Sequence, residues 1–285
     1  MAHLIAQLSP RINVSTIGIV HLLKNEEKDA YEACFQKADF IFAQRVADNY
    51  PCKFIRTEIL KKKWGDRVVV WPNIYYRGYN PELIYLRAAD HRPLRGPLGD
   101  YHNHTFIDGW AKGLSVQETL DLHYDYDYNF EMYHHVPTDS LEEMKMREKD
   151  CDVKITQYIE DKRWRYRLFF TFNHPKKKLL LYTAKNLIKQ IKVKYQPIEK
   201  IDETEPLGQL HPPLNPWIKA KYGLDSDKAN KWKGLAVNEI NSDGIITGES
   251  SEFSDIEIID TFFQIYSVNK DMISNFVNHT KTYRV

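Results

Sequence analysis

The sequence predicts a helix-rich α/β fold: a short, mainly parallel sheet flanked by helices, with a second half made chiefly of helix. Three observations predict it. Two apolar runs, residues 39–43 (DFIFA) and 67–71 (RVVVW), are separated by a segment with helical spacing, the order of elements that builds parallel strands. Later segments space their apolar residues three and four apart, as helices do. The 285 residues allow one large domain or two small ones, with a core that needs no staples.

Each element follows in order. Residues 2–8 (AHLIAQL) read as a helix with no cap before it. Residues 17–23 (IGIVHLL) read as a short strand, and the charged, amphipathic residues 25–37 as a helix. Residues 39–43 are a short apolar strand. Residues 57–64 form a helix closed by Gly65. The β-branched run 67–71 is a buried strand that ends at Pro72. Residues 75–101 are rich in Gly, Pro and Tyr with little periodicity, so they form a long structured loop, a usual carrier of function. Residues 106–123 read as a helix that restarts at Ser115, an N-cap with Glu118 three residues later. Ser140 opens a further helix that reaches, broken or unbroken, about residue 164, and residues 166–171 (YRLFFT) read as a third strand. Residues 176–192 form a helix whose apolar side carries Leu179, Leu180, Tyr182, Ala184, Leu187, Ile188 and Ile191. The chain is then Pro-rich from Pro197 to Pro216. Residues 241–254 read as a flexible polar loop and 256–277 as a closing helix.

Charge is balanced overall, with 40 Lys and Arg against 39 Asp and Glu, which argues against a nucleic-acid binder. It is uneven locally. Residues 121–161 carry 12 acidic and 4 basic side chains, whereas residues 176–200 carry 8 Lys and one Glu. Solvated helix faces account for most of this, but the basic stretch also suits a polyanionic ligand such as a nucleotide. Three cysteines, Cys34, Cys52 and Cys151, without C-x-x-C spacing exclude a disulfide framework and speak against structural zinc, so no metal is expected. No window reaches the roughly 18 apolar residues of a membrane helix, and no signal peptide is seen at the N-terminus; the expected location is the cytoplasm.

Three constellations could carry chemistry. In residues 71–81 (WPNIYYRGYNP), Asn73 follows a strand end, where α/β sheets bind ligands, and its amide suits a developing oxyanion. The same Asn also suits a turn before a Tyr-rich core. In residues 96–104 (GPLGDYHNH), a His beside a carboxylate is the usual base of acyl transfer, so Asp100 would orient His102. Capping of the next helix by Asp100 or Asn103 is the plainer use. In residues 171–178 (TFNHPKKK), His174 sits at a strand end. Pro175, the helix start and the lysines Lys176, Lys177 and Lys178 make a phosphate site; a surface lysine run is the alternative. Two of these follow a strand and one joins a strand to a helix, so they could converge on one face.

Residues 38–44 (ADFIFAQ), 72–81 (PNIYYRGYNP), 96–102 (GPLGDYH), 148–153 (EKDCDV) and 167–175 (RLFFTFNHP), with the Pro-rich 210–224, resemble the WcbI-like family of capsular-polysaccharide biosynthesis proteins, described as acetyltransferases. The resemblance covers most of residues 1–225, so a WcbI-like α/β domain is expected there and a C-terminal extension over 226–285. It implies a cytoplasmic protein that binds coenzyme A and transfers acetyl from acetyl-CoA to a sugar hydroxyl of a surface polysaccharide. His174 or His102 would then be the general base, with Asp100 orienting His102. Asn73 and Asn173 would polarise the thioester carbonyl. Lys176, Lys177 and Lys178 would meet the CoA phosphates, and Tyr75, Tyr76, Tyr79 and Tyr101 would line the cofactor site. Alternatives are a polysaccharide acetyl esterase of similar architecture and a non-catalytic CoA- or glycan-binding protein. The family usually opens with a short strand and a Gly-Asn-Cys-Gln loop before its first helix. Residues 1–8 correspond to that helix, and the loop does not precede it in this sequence, which implies either a start further upstream or a member that has lost the loop. None of the three cysteines stands in its place.

Overall fold

Apolar spacing and polar caps set most of the helices where the sequence puts them. The computed structural model describes residues 1–87, 92–194, 204–224, 231–241 and 244–282, the side chains of 244–247 and 279–282 excepted. In chain order the elements are α1 (Ala2–Leu8), α2 (Lys28–Lys37), β1 (Ile41–Gln44), α3 (Thr57–Trp64), β2 (Val68–Trp71), β3 (Leu83–Tyr85), β4 (Tyr101–Asn103), α4 (His104–Ala111) and α5 (Val116–Tyr124). There follow α6 (Tyr126–Tyr133), α7 (Val136–Arg147), α8 (Thr156–Lys162), α9 (Lys177–Gln190), α10 (Pro216–Tyr222), β5 (Trp232–Asn241), β6 (Gly244–Phe253), α11 (Asp255–Val268) and α12 (Lys270–Thr282). The result is a helix-rich α/β fold with small sheets.

The chain divides into two compact units, each drawn from three stretches. The first unit comprises Met1–Tyr75, Leu141–Lys162 and Pro175–Glu205; the second comprises Tyr76–Ser140, Arg163–His174 and Pro206–Val285. The boundary expected after residue 225, Pro197 and the end of the basic run lie outside the described residues.

In the first unit β1 and β2 pair in parallel, Ile41 opposite Val68 and Gln44 opposite Trp71. The connecting α3 ends at Gly65, whose positive φ of 57° lets the chain turn without a Cβ penalty. Ile41, Leu60, Trp64, Val68, Val70 and Cys151 form one core cluster. The other edge of β2 is closed by a loop rather than a strand. The Val70 N–H donates to Asp152 Oδ2 (2.7 Å), and the N–H groups of Asp152 and Val153 donate back to the Val70 carbonyl (2.9 and 3.1 Å). Residues 17–23 are not the expected strand. They hold a single 3₁₀ turn (Val20–Leu22), because Val20 and Leu23, three apart, pack on the Val46, Cys52, Phe54 and Ile55 cluster while Ile17, Ile19 and Leu22 stay exposed.

In the second unit β3 and β4 pair antiparallel, so the loop expected over 75–101 contains one strand and leads into another. The Asn103 side chain caps α4 through the N–H groups of Thr105 and Phe106, and Ser115 with Glu118 forms the expected capping box of α5. Residues 166–171 are not a strand either. The Arg167 guanidinium, buried, takes the Phe169 and Phe170 carbonyls (2.9 Å each), and the Phe170 N–H donates to the His174 carbonyl (2.9 Å). Backbone groups that would join a ladder are thus satisfied within the loop. Residues 244–253, expected as loop, are the β6 arm of an antiparallel hairpin with Trp232 opposite Phe253. Beyond Gly234 the β5 residues are half-buried or exposed, so no alternating apolar face marks the hairpin in the sequence. The closing helix is two helices, α11 and α12, broken at Asn269, whose N–H reaches the Ile265 and Tyr266 carbonyls (3.1 Å each).

Candidate functional site

The site is built on β3, β4 and the turn at residues 171–174, all in the second unit. Register places Tyr85 of β3 opposite Tyr101 of β4, and their rings stack with centroids 5.2 Å apart. The Phe172 ring stands edge-on to both at 4.9 Å. The turn closes through the His174 N–H on the Thr171 carbonyl (3.3 Å), which brings the Asn173 and His174 side chains to the Tyr101 hydroxyl.

Tyr101 Oη donates to Asn173 Oδ1 in a short hydrogen bond and lies 3.4 Å from His174 Nε2. Asn173 Nδ2 donates to Tyr85 Oη (2.9 Å), and Thr171 Oγ1 lies 3.4 Å from Asn173 Oδ1. His174 Nδ1 is shut off from solvent without a hydrogen-bond partner. Burial raises the pKa of both phenols and lowers that of His174, so at neutral pH the phenols and the imidazole are uncharged. A pocket of about 320 Å³ opens on this group, lined by Tyr85, Arg95, Asp100, Tyr101, Asn173 and His174. Leu210 and Leu235 add an apolar lining, and no Ser, Thr or Cys lines it among the described residues. Among the described residues no cluster of His, Cys, Asp and Glu could hold a metal ion, and no helix is long and apolar enough to cross a membrane.

The family model described as polysaccharide biosynthesis enzyme WcbI matches residues 1–196. The chain belongs to the WcbI family. A solved structure of WcbI, described as a novel polysaccharide biosynthesis enzyme in its native form without a disulfide bond between coenzyme A and a cysteine, matches with a TM-score of 0.72 at 16% identity. The match covers 93% of this chain and 84% of that one, so the shared fold extends past the residues that the family model matches. A search of curated proteins gives no match.

Three of the WcbI-like segments separate into two kinds. Residues 148–153 serve the backbone of the first unit. Glu148 Oε2 accepts from the Ile155 and Thr156 N–H groups (2.7 and 3.0 Å) at the start of α8, and Asp152 closes the edge of β2. Residues 96–102 and 167–175 reach the pocket, through Asp100, Tyr101, Asn173 and His174.

The other predicted site residues lie elsewhere. His102 is fully buried: its Nε2–H donates to the Leu94 carbonyl (2.9 Å) and Nδ1 accepts from Tyr266 Oη (3.2 Å). Burial pushes its pKa down to about 4. Strand alternation is the reason, since consecutive residues face opposite ways, Tyr101 to the pocket and His102 to Phe262 and Tyr266. Asp100 therefore does not orient His102; it pairs with Arg95 at 3.5 Å on the exposed rim. Tyr76 and Tyr79 are 1% and 2% exposed and pack on each other and on Phe169, so they are core residues rather than a lining for a ligand. Asn73, Tyr75 and the three lysines belong to the first unit. Asn73 Oδ1 accepts from Gln44 Nε2 (3.0 Å), and the Arg147 guanidinium lies 4.7 Å over the Tyr75 ring. At the start of α9 the Lys177 N–H donates to Glu205 Oε2 (2.7 Å), so a carboxylate of the chain already takes one of the donors expected for phosphate. Sequence reading missed Tyr85 and Arg95. Tyr85 could be found only through the β3–β4 register.

Proposed function

We propose that the chain is a coenzyme A-dependent O-acyltransferase that moves an acetyl group from acetyl-CoA to a sugar hydroxyl in surface-polysaccharide synthesis, with the Tyr101–Asn173–His174 pocket at the acyl centre. The observation that carries this reading is the convergence of two phenols, an amide and a neutral imidazole on one pocket. Membership of a polysaccharide biosynthesis family supplies the substrate class, and the WcbI structure is described as the native protein without a disulfide bond between coenzyme A and a cysteine. Among the described residues the lining offers no Ser or Cys nucleophile, which favours direct transfer over an esterase that passes through a covalent acyl-enzyme.

Two measurements test it. Calorimetric titration of coenzyme A, with 3′,5′-ADP as comparison, should give saturable binding of both; no binding of either ends the CoA assignment for this chain. In an assay of acetyl transfer from acetyl-CoA to an acceptor sugar, His174→Ala should lower the rate by about 10²-fold or more, the effect of losing a proton-handling group or an oxyanion donor. An unchanged rate removes His174 from the reaction.

A further inference from the structure

We infer that His174 meets its substrate as a hydrogen-bond donor through Nε2–H, held in that tautomer by Tyr101 and Asn173, rather than as the general base that the sequence suggests. The inference rests on the acyl-transfer reading of this pocket and assigns the role of the ring within it.

A neutral imidazole carries one proton, and a phenol donates one. An amide has two unlike ends, an acceptor oxygen and a donor nitrogen, so a buried Asn gives direction to any chain of hydrogen bonds through it. Here Asn173 Nδ2 faces Tyr85 Oη (2.9 Å), and Oδ1 faces Tyr101 and Thr171. Oδ1 only accepts, so Tyr101 gives it the phenol proton. Tyr101 Oη then offers His174 Nε2 only lone pairs across the 3.4 Å contact. The imidazole proton sits on Nε2, and the lone pair on Nδ1.

The far end of the chain decides against the reverse direction. With the amide turned over, Tyr101 would donate to Nε2 and the imidazole proton would move to Nδ1. That atom is buried and has no acceptor. An unpaired buried N–H is rarer in proteins than an under-satisfied acceptor and leaves the full desolvation cost uncompensated.

The chemical consequence follows. The bare lone pair of His174 is on the nitrogen sealed from solvent, where an acceptor hydroxyl cannot reach it. The nitrogen beside the Tyr101 hydroxyl is the one that bears a proton. Its contact to Tyr101 is long, so the hydrogen can be shared with a carbonyl oxygen in the pocket. A neutral imidazole N–H polarises such a carbonyl and stabilises the oxyanion that develops on it. As the hydroxyl oxygen bonds to the acyl carbon, the C–S bond breaks. The hydroxyl proton ends on the departing CoA sulfur, and His174 keeps its own. Tyr101 and Asn173 are positioning residues in this scheme.

The test uses the full chain labelled with ¹⁵N-histidine, with the His174 signals assigned from their loss in His174→Gln. At neutral pH Nε2 should be the protonated nitrogen and Nδ1 the bare one, and Tyr101→Phe, which takes the acceptor from Nε2 but leaves Nδ1 sealed, should shift the Nε2 signal and raise the share of the other tautomer while Nε2–H stays the major form. A proton on Nδ1, or a Tyr101→Phe spectrum like the wild type, overturns the assignment. Glutamine presents an amide N–H near the place of Nε2 and cannot act as a base. His174→Gln should therefore keep acetyl transfer within about tenfold of wild type while His174→Ala loses about 10²–10³. Equal losses in the two variants restore the base role and overturn the inference. If no form transfers acetyl, the acyl-transfer reading fails, and the ¹⁵N spectrum still decides the tautomer independently.

Discussion

Glu82 is a carboxyl with no exposure, held between the side-chain amides of Asn80 (3.3 Å) and Asn215 (3.0 Å). Burial raises its pKa from 4.5 to about 7, so the folded chain holds a proton there that the unfolded chain has released. His102 and His123 act in the opposite sense: burial lowers each from 6.5 to about 4, so the folded chain lacks two protons that the unfolded chain holds. His174 is shifted in the same direction as these two. The Glu82 contribution is present below pH 4.5 and is lost as pH rises through 7. The histidine contribution is present above pH 6.5 and is lost as pH falls toward 4. Between pH 5 and 6 these three groups leave the unfolded chain one proton ahead, so they make stability rise with pH by about 1.4 kcal/mol per unit. Glu82→Gln removes the opposing group and should raise that slope to about 2.7 kcal/mol per unit, whatever it does to absolute stability. Denaturant titrations at pH 5.0, 5.5 and 6.0 check this, and an unchanged slope would mean that Glu82 is ionised in the folded chain. Single residues of this kind are poorly legible in sequence. His102, Asp100 and His174 look alike there, and only strand facing and burial separate a core histidine from a rim carboxylate and a pocket imidazole.

At the scale of elements, α4 and α5 meet at Gly109. A Cβ there would lie 2.2 Å from Thr119 Oγ1 and 2.9 Å from Thr119 Cβ, too close for either helix to keep its place. Gly109→Ala should cost about 1–3 kcal/mol of stability, as overpacking does, and Thr119→Ala in the same chain should return part of it. Denaturation midpoints of the single and double variants check this, and a neutral Gly109→Ala would show that the helices are free to part. The α5 capping box, the Gly65 stop of α3 and the apolar side of α9 were legible because each depends on residues within a turn of one another. Residues 166–171 misled because their composition suits a strand while Arg167 takes the carbonyls that would have paired. Residues 17–23 misled because alternation alone does not supply a neighbouring strand.

At the scale of the whole molecule, the two units share out the predicted site. Tyr101, Asn173 and His174 fall in the second, and Asn73, Tyr75 and Lys176 to Lys178 in the first. Ligand binding to the folded chain is read as stabilisation. Coenzyme A at a hundredfold excess over its Kd should add about 2.7 kcal/mol, seen as a rise in Tm that grows with ligand concentration. A Tm unmoved by CoA would agree with a flat calorimetric titration and send the search to another acyl donor.

The sequence by itself determined the helix-rich α/β class, the place of most helices and the WcbI resemblance, because periodicity, caps and ordered motifs are local properties of the chain. It also placed Asn173 and His174 in one short segment. The tertiary structure alone decided that Tyr85 joins Tyr101, that His102 turns away from its neighbour, and that the Asn173 amide gives direction to the hydrogen bonds reaching His174. Those outcomes depend on the β3–β4 register, which pairs Tyr85 with Tyr101, and on contacts between residues 70 or more positions apart. Long-range pairing of this kind leaves no period in the sequence to read.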